Sequence, residues 1–276
     1  MKQLAIFTFL SFALGAAYAQ EHSIQKIWET EAVLKVPESV CPDIERKILY
    51  VSNIDGKDPW GADHMGSIAR LGLDGKIIDV AWIRGLNAPK GMGVYKNFLY
   101  VADINEVAVI DIRKGEIKKR IAVPHAEALN DITIDPRGIV YVSDSKAKRI
   151  YKIQGNDASV HIESLGGPNG LLWHGDNLYV LDKGSLLRVE YDRKLTPIAT
   201  GMEGGTDGLA AVNDHDFIVS GWAGIIYYVR DNGQKQVLAD SRNDQVNTAD
   251  IAFDAVSRTL YVPTFWKNKV IAYELK

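Results

Sequence analysis

The sequence predicts an all-β fold, a six-bladed β-propeller closed by an N-terminal strand that completes the last blade. Three observations carry this. A strand phrase of the type Leu-Tyr-Val-x-Asp recurs six times, the recurring units are evenly spaced, and the segments between turns have strand composition.

The phrase stands as Ile48–Asn53, Phe98–Asp103, Ile139–Asp144 and Asn177–Asp182, with weaker copies at Phe217–Ser220 and Leu260–Pro263. The residues opening the six units align as Glu38, Lys90, Asn130, Asn169, Asp207 and Ala249, spaced by 52, 40, 39, 38 and 42 residues. A period near 40 in β-type segments is the mark of propeller blades. A helical repeat of that length fails: the apolar residues alternate or run in fours and fives, are rich in Val, Ile and Tyr, and are broken by Asp-Gly and Asn-Gly. In the third unit the four strands fall near 131–135, 139–143, 149–154 and 160–164, separated by Pro136-Arg137-Gly138 and Gly155-Asn156-Asp157. The last unit stops after its third strand, 269–275, and a spare apolar segment, Ala32–Val36, precedes the first unit. That segment is expected to pair onto the last blade and remove its exposed edge.

At the N-terminal end, Lys2, the apolar run Leu4–Leu14 and Ala17-Tyr18-Ala19 form a signal-peptide pattern over residues 1–19. The run is shorter than the roughly 20 residues of a membrane span. The expected mature chain, 20–276, is one exported propeller domain, periplasmic or secreted. With 32 basic and 35 acidic residues and a pI near 6.1, nothing favours nucleic acid or an anionic membrane. Cys41 is the only cysteine, so no internal disulfide forms, and it reads as a buried small apolar residue.

Six inner strands converge on one axis, so their opening residues share one small space. Glu38, Asn130, Asn169 and Asp207 offer carboxylate and amide oxygens, a set suited to a hard cation such as calcium or magnesium. No thiolate or imidazole stands among them. Taken singly, Asn169-Gly170 and Asp207-Gly208 are also ordinary turn formers. Lys90 adds a cation that either neutralises the carboxylates in place of a metal or holds an anionic substrate. The first unit is a dozen residues longer than the others. Its excess, Asn53–Gly66, joins the second and third strands on the face where the inner strands open, where long insertions tend to be functional. Trp60, Trp222 and Trp266 lie in or next to loops of that face and can stack on a sugar ring or pack between blades. Asp103, Asp144 and Asp182, ending three second strands, read as turn caps. No nucleophile elbow, Ser-His-Asp order or phosphate loop is visible.

The phrases Pro37-Glu38-Ser39-Val40, Asn130-Asp131, Pro168-Asn169-Gly170 and Thr206-Asp207-Gly208 resemble the senescence marker protein/gluconolactonase family, which includes regucalcin. The resemblance covers nearly the whole mature chain. It implies a six-bladed propeller with one divalent metal in its channel, calcium or else magnesium, manganese or zinc, held by Glu38, Asn169 and Asp207 with Asn130 close by. It also implies hydrolysis of a lactone or similar cyclic ester, for example a sugar lactone, with Asp207 as the base that takes a proton from water. Lys90, Asp131, His64, Trp60 and Trp222 are the expected substrate contacts. Three departures stand out: Asp207 follows Thr206 instead of Pro, the family's arginine before Asn130-Asp131 is missing, and Lys90 opens the second blade. The competing class is a non-catalytic exported propeller that binds a small ligand or a protein.

Overall fold

The computed structural model describes residues 21–276 apart from Lys57, so the expected signal peptide, residues 1–19, lies outside the described residues. Its strands form six four-stranded antiparallel sheets. Five are built from consecutive strands, each opened by an inner strand: β2 (Pro37–Asp43), β6 (Pro89–Tyr95), β10 (Leu129–Ile134), β14 (Pro168–His174) and β18 (Thr206–Ala211). The sixth runs β22 (Ala252–Asp254), β23 (Thr259–Pro263), β24 (Val270–Leu275) and then β1 (Ile24–Glu29).

The chain therefore closes as expected but with a different segment. β1 pairs antiparallel with β24, Ile24 opposite Leu275 and Glu29 opposite Ile271. Residues 32–36 form no strand. They cross from the last blade to the first: Leu34 is buried among Val40, Leu49 and Val270, and Val36 turns through the left-handed region (φ 54°). The backbone oxygens of Lys35 and Val36 accept from the N–H groups of Asp55 and Ile54. The inner ends of the ring also join, because the Asp250 N–H donates to the Glu38 carbonyl at 2.9 Å.

The hydrophobic core is divided among the seams between blades. Ala102, Val107 and Val109 of the second blade pack on Val140, Val142 and Tyr151 of the third. Equivalent clusters fill the other five seams. A middle strand thus has both faces buried, and runs such as Phe217–Gly221 and Ile225–Val229 are buried at every residue and mostly apolar.

Inner strands open on bulges. In β10, Leu129 pairs with Asp144 and Ile132 with Val142, so Asn130 and Asp131 together face Ser143. The same excess of one residue occurs at Glu38, at Lys90-Gly91, at Asn169-Gly170 and at Asp207-Gly208. A bulge kinks the strand and re-aims a side chain. It also frees a backbone N–H, and in three blades a serine of the second strand accepts it: Ser52 from Ser39 (3.0 Å), Ser143 from Asp131 (2.9 Å) and Ser220 from Gly208 (2.8 Å).

Candidate functional site: the channel mouth

The bulges bring five of the six unit-opening residues to one cavity of about 250 Å³, while Ala249 packs with Ile54, Ala88 and Phe265 and does not line it. Glu38, Lys90, Asn130, Asn169 and Asp207 line it, and Trp60, Trp222 and Phe265 wall its rim. Asn169-Gly170 and Asp207-Gly208 lie within strands, so they are not turns. Their glycines are required by close approach. A Cβ on Gly170 would fall well inside 3.0 Å of the Asp207 carbonyl oxygen, and one on Gly208 equally close to the Ile251 nitrogen. A glycine directly after Asn169 and after Asp207 thus lets neighbouring inner strands crowd the axis.

Glu38, Lys90 and Asp207 are almost fully buried. The Lys90 ammonium stands 3.9 Å from Glu38 Oε1 and 4.3 Å from the centre of the Trp60 ring. The Asn169 amide donates to Asp207 Oδ1 at 2.8 Å, and the Asn130 amide to Ser145 Oγ at 3.0 Å. Ser145 in turn donates to the Pro168 carbonyl, tying the third blade to the strand that carries Asn169. Two oxygens are left over: Glu38 Oε2 and Asn169 Oδ1 are buried with no hydrogen-bond partner among the described residues. An unpaired buried acceptor costs roughly 1–3 kcal/mol, more when charged.

Burial pushes the Glu38 carboxyl up, partly opposed by Lys90. It pushes Asp207 well up, with the Glu38 and Asp250 charges adding to the effect. Burial also lowers the Lys90 amine, against the pull of Glu38 and Asp207. One ammonium thus faces two carboxyls at the mouth, and a further pair, Asp131 and Asp250, lies close enough to Glu38 and Asp207 for the four charges to oppose one another.

Asp131 lies one layer deeper than its neighbour Asn130. Its oxygens accept from the N–H groups of Ile132 (2.6 Å) and Leu171 (2.5 Å), strapping β10 to β14, and it lines a separate cavity toward the opposite end of the channel. Asp250 is buried beside it in the same cavity and accepts from the Ser39 hydroxyl. Cys41 lines that lower cavity too; it is half-buried, and burial pushes its thiol up to about 12. His64 is exposed in the long loop and is not among the residues lining the mouth. Trp60, from the same loop, does reach the mouth: its backbone N–H donates to Asp58 Oδ1, and its ring faces Lys90 on the channel side and Lys146 at 5.3 Å. Asp103, Asp144 and Asp182 are caps of a particular kind. Each accepts from two N–H groups of the loop entering its own blade, at 87 and 88, 127 and 128, and 166 and 167.

Phe265 at the mouth was not singled out from sequence. It starts the short 3₁₀ turn Phe265–Lys267 and stands edge-on to Trp222. Its position in the connection between the second and third strands of the last blade, equivalent to that of the long first-blade loop, was the available signal.

Fold and site define a six-bladed β-propeller with a carboxylate- and amide-ringed mouth. The chain matches no protein-family model and no curated protein sequence. Among solved structures, it is similar to a protein provisionally named a gluconolactonase, with TM-score 0.68 and 16% identity over 94% of both chains. It is also similar to virginiamycin B lyase from Staphylococcus aureus, with TM-score 0.64 and 14% identity over 92% of this chain and 99% of that one. A nidogen/laminin complex contributes a third likeness, with TM-score 0.65 and 17% identity over 79% of this chain and 84% of that one. At such identities the likeness shows the fold.

Proposed function

We propose that the chain is a metal-dependent hydrolase of the gluconolactonase type, opening a lactone at the channel mouth. The observation that carries this is the pair of buried, partnerless oxygens, Glu38 Oε2 and Asn169 Oδ1, in the cavity that also holds Asp207. A divalent cation, calcium before magnesium, manganese or zinc, satisfies both and offsets the surplus of buried carboxyls. Glu38, Asn169 and Asp207 would hold it, with Asn130 beside them. When bound, such an ion polarises a carbonyl oxygen and stabilises the negative charge that develops on it.

The chain's own residues do the rest. Asn169 fixes the Asp207 carboxylate by donating to one oxygen. Asp207 takes a proton from the water that attacks the lactone carbonyl. The ring C–O bond then breaks, and the departing alkoxide recovers that proton, giving the open hydroxy acid. Lys90 balances one carboxylate and favours substrates with electron-rich oxygens. Trp60 and Trp222 exclude water and offer apolar faces to the substrate ring. The pattern at residues 1–19 supports action outside the cytoplasm, in a periplasm or medium, which sequencing the N-terminus of secreted material checks.

The test is metal content and calcium affinity of the mature protein beside Glu38→Gln and Asp207→Asn. One ion per chain, lost in both variants, and lactone hydrolysis abolished by chelator are expected. A second reading rests on Lys90: its ammonium already stands beside Glu38. Absence of any ion, with no effect of calcium, manganese or zinc on melting, makes the protein a non-catalytic ligand-binding propeller.

A further inference from the structure

A second cavity, about 410 Å³, opens on the same face beside the mouth. Trp222 lines both. On its far side stands Trp266, and Arg242, Gln245, Asn247 and Lys267 edge it. The two indoles are 40% and 47% exposed, unusual for side chains of this size. The backbone beneath Trp222 is fixed: its main-chain N–H donates to the Gly205 carbonyl, and its carbonyl accepts from the Asn247 amide. Phe265, almost fully buried, meets both neighbouring rings edge-on, at 5.5 and 4.8 Å between ring centres.

From this geometry we infer a second sugar subsite: the ligand whose first ring sits in the mouth carries a further pyranose, stacked on Trp266 and Trp222. The inference rests on the mouth being read as a site for a sugar-derived ring. A pyranose presents an apolar C–H face and an equatorial rim of hydroxyls. An exposed indole suits the first, and the Gln245 and Asn247 amides and the Lys267 ammonium around the cavity suit the second, while Arg242 is held by Asp240 and Glu203. A purely apolar partner fits poorly, since the indoles are interrupted by Arg242, Gln245 and Lys267. Continuity with the mouth through Trp222 sets the order of the two rings.

The experiment is isothermal titration of the mature protein with gluconate and with the disaccharide acids cellobionate, maltobionate and lactobionate, for wild type, Trp266→Ala and Trp266→Phe. Wild type is expected to bind at least one disaccharide acid tenfold or more tighter than gluconate. Trp266→Ala is expected to bring that ratio below about twofold, and Trp266→Phe, which keeps an aromatic face, to retain part of it. The proposal is overturned if no disaccharide acid gains over gluconate, or if the gain survives in Trp266→Ala. A disaccharide-acid gain that is lost in Trp266→Ala, in a protein that binds no ion and opens no lactone, upholds the subsite while removing the lactonase reading of the mouth.

Discussion

Gly170→Ala tests both the packing and the site. The added Cβ falls against the Asp207 carbonyl oxygen of the next inner strand. Sideways relief is closed off by Leu181 Cδ1 at 2.9 Å and Leu209 Cβ at 3.3 Å. The strands β14 and β18 must therefore part, and the 2.8 Å hydrogen bond from Asn169 to Asp207 goes with them. Overpacking of this kind costs about 1–3 kcal/mol and the hydrogen bond about 1 kcal/mol, so a loss of roughly 2–4 kcal/mol is expected. For a chain of this length that is on the order of 5–15 °C in melting temperature. Calcium affinity should fall as well, because two proposed ligands move relative to one another. Gly204→Ala is the control, since its Cβ meets nothing within 4 Å. Urea denaturation and calcium titration of both variants decide the matter. If Gly170→Ala matches Gly204→Ala within 0.5 kcal/mol, roughly the spread of neutral surface changes, the claim that ring geometry depends on strand crowding is wrong.

Deleting residues 21–29 removes β1 and exposes the edge of β24, so cooperative melting should be lost or soluble yield should collapse; an unchanged melt refutes closure by this strand. Ser220→Ala strips the acceptor from the Gly208 N–H and the donor from the Ala249 carbonyl and should cost roughly 1–3 kcal/mol in denaturation. Burial pushes the Asp131 carboxyl up to about 8, with the Glu38 and Asp207 charges adding and two N–H donors opposing. The folded state then keeps a proton that the unfolded chain releases near pH 4, so this group makes stability fall as pH rises from about 4 to about 8. In chelator, the difference between wild type and Asp131→Asn should slope across that window by at most about 1.4 kcal/mol per pH unit; parallel profiles contradict it.

The repeat and five of the six opening residues were legible because each blade restates one pattern; the sixth, Ala249, precedes the last inner strand and stays out of the mouth. The closing strand was misplaced for a physical reason. An outermost strand keeps one side in water, so Ile24–Glu29 reads as mixed Ile and Lys. The segment 32–36 is apolar because Leu34 plugs a seam. The depth of Asp131 was hidden by the bulge: it sits next to Asn130 in sequence, yet its side chain is taken up by the strap to Leu171. Nothing in the composition of the 53–66 loop said that Trp60 would reach the channel while His64 stayed in solvent.

The bulges have a consequence for how such a mouth can diversify. A residue that is surplus to the ladder has no cross-strand partner to satisfy, so its identity is set by the channel and not by the sheet. Glutamate, lysine, asparagine and aspartate all occupy that place here, on the same backbone device. The scaffold thus behaves as a socket with exchangeable contacts, in which a single codon change at any one blade re-specifies the charge at the axis while the six seams that hold the molecule together are left alone.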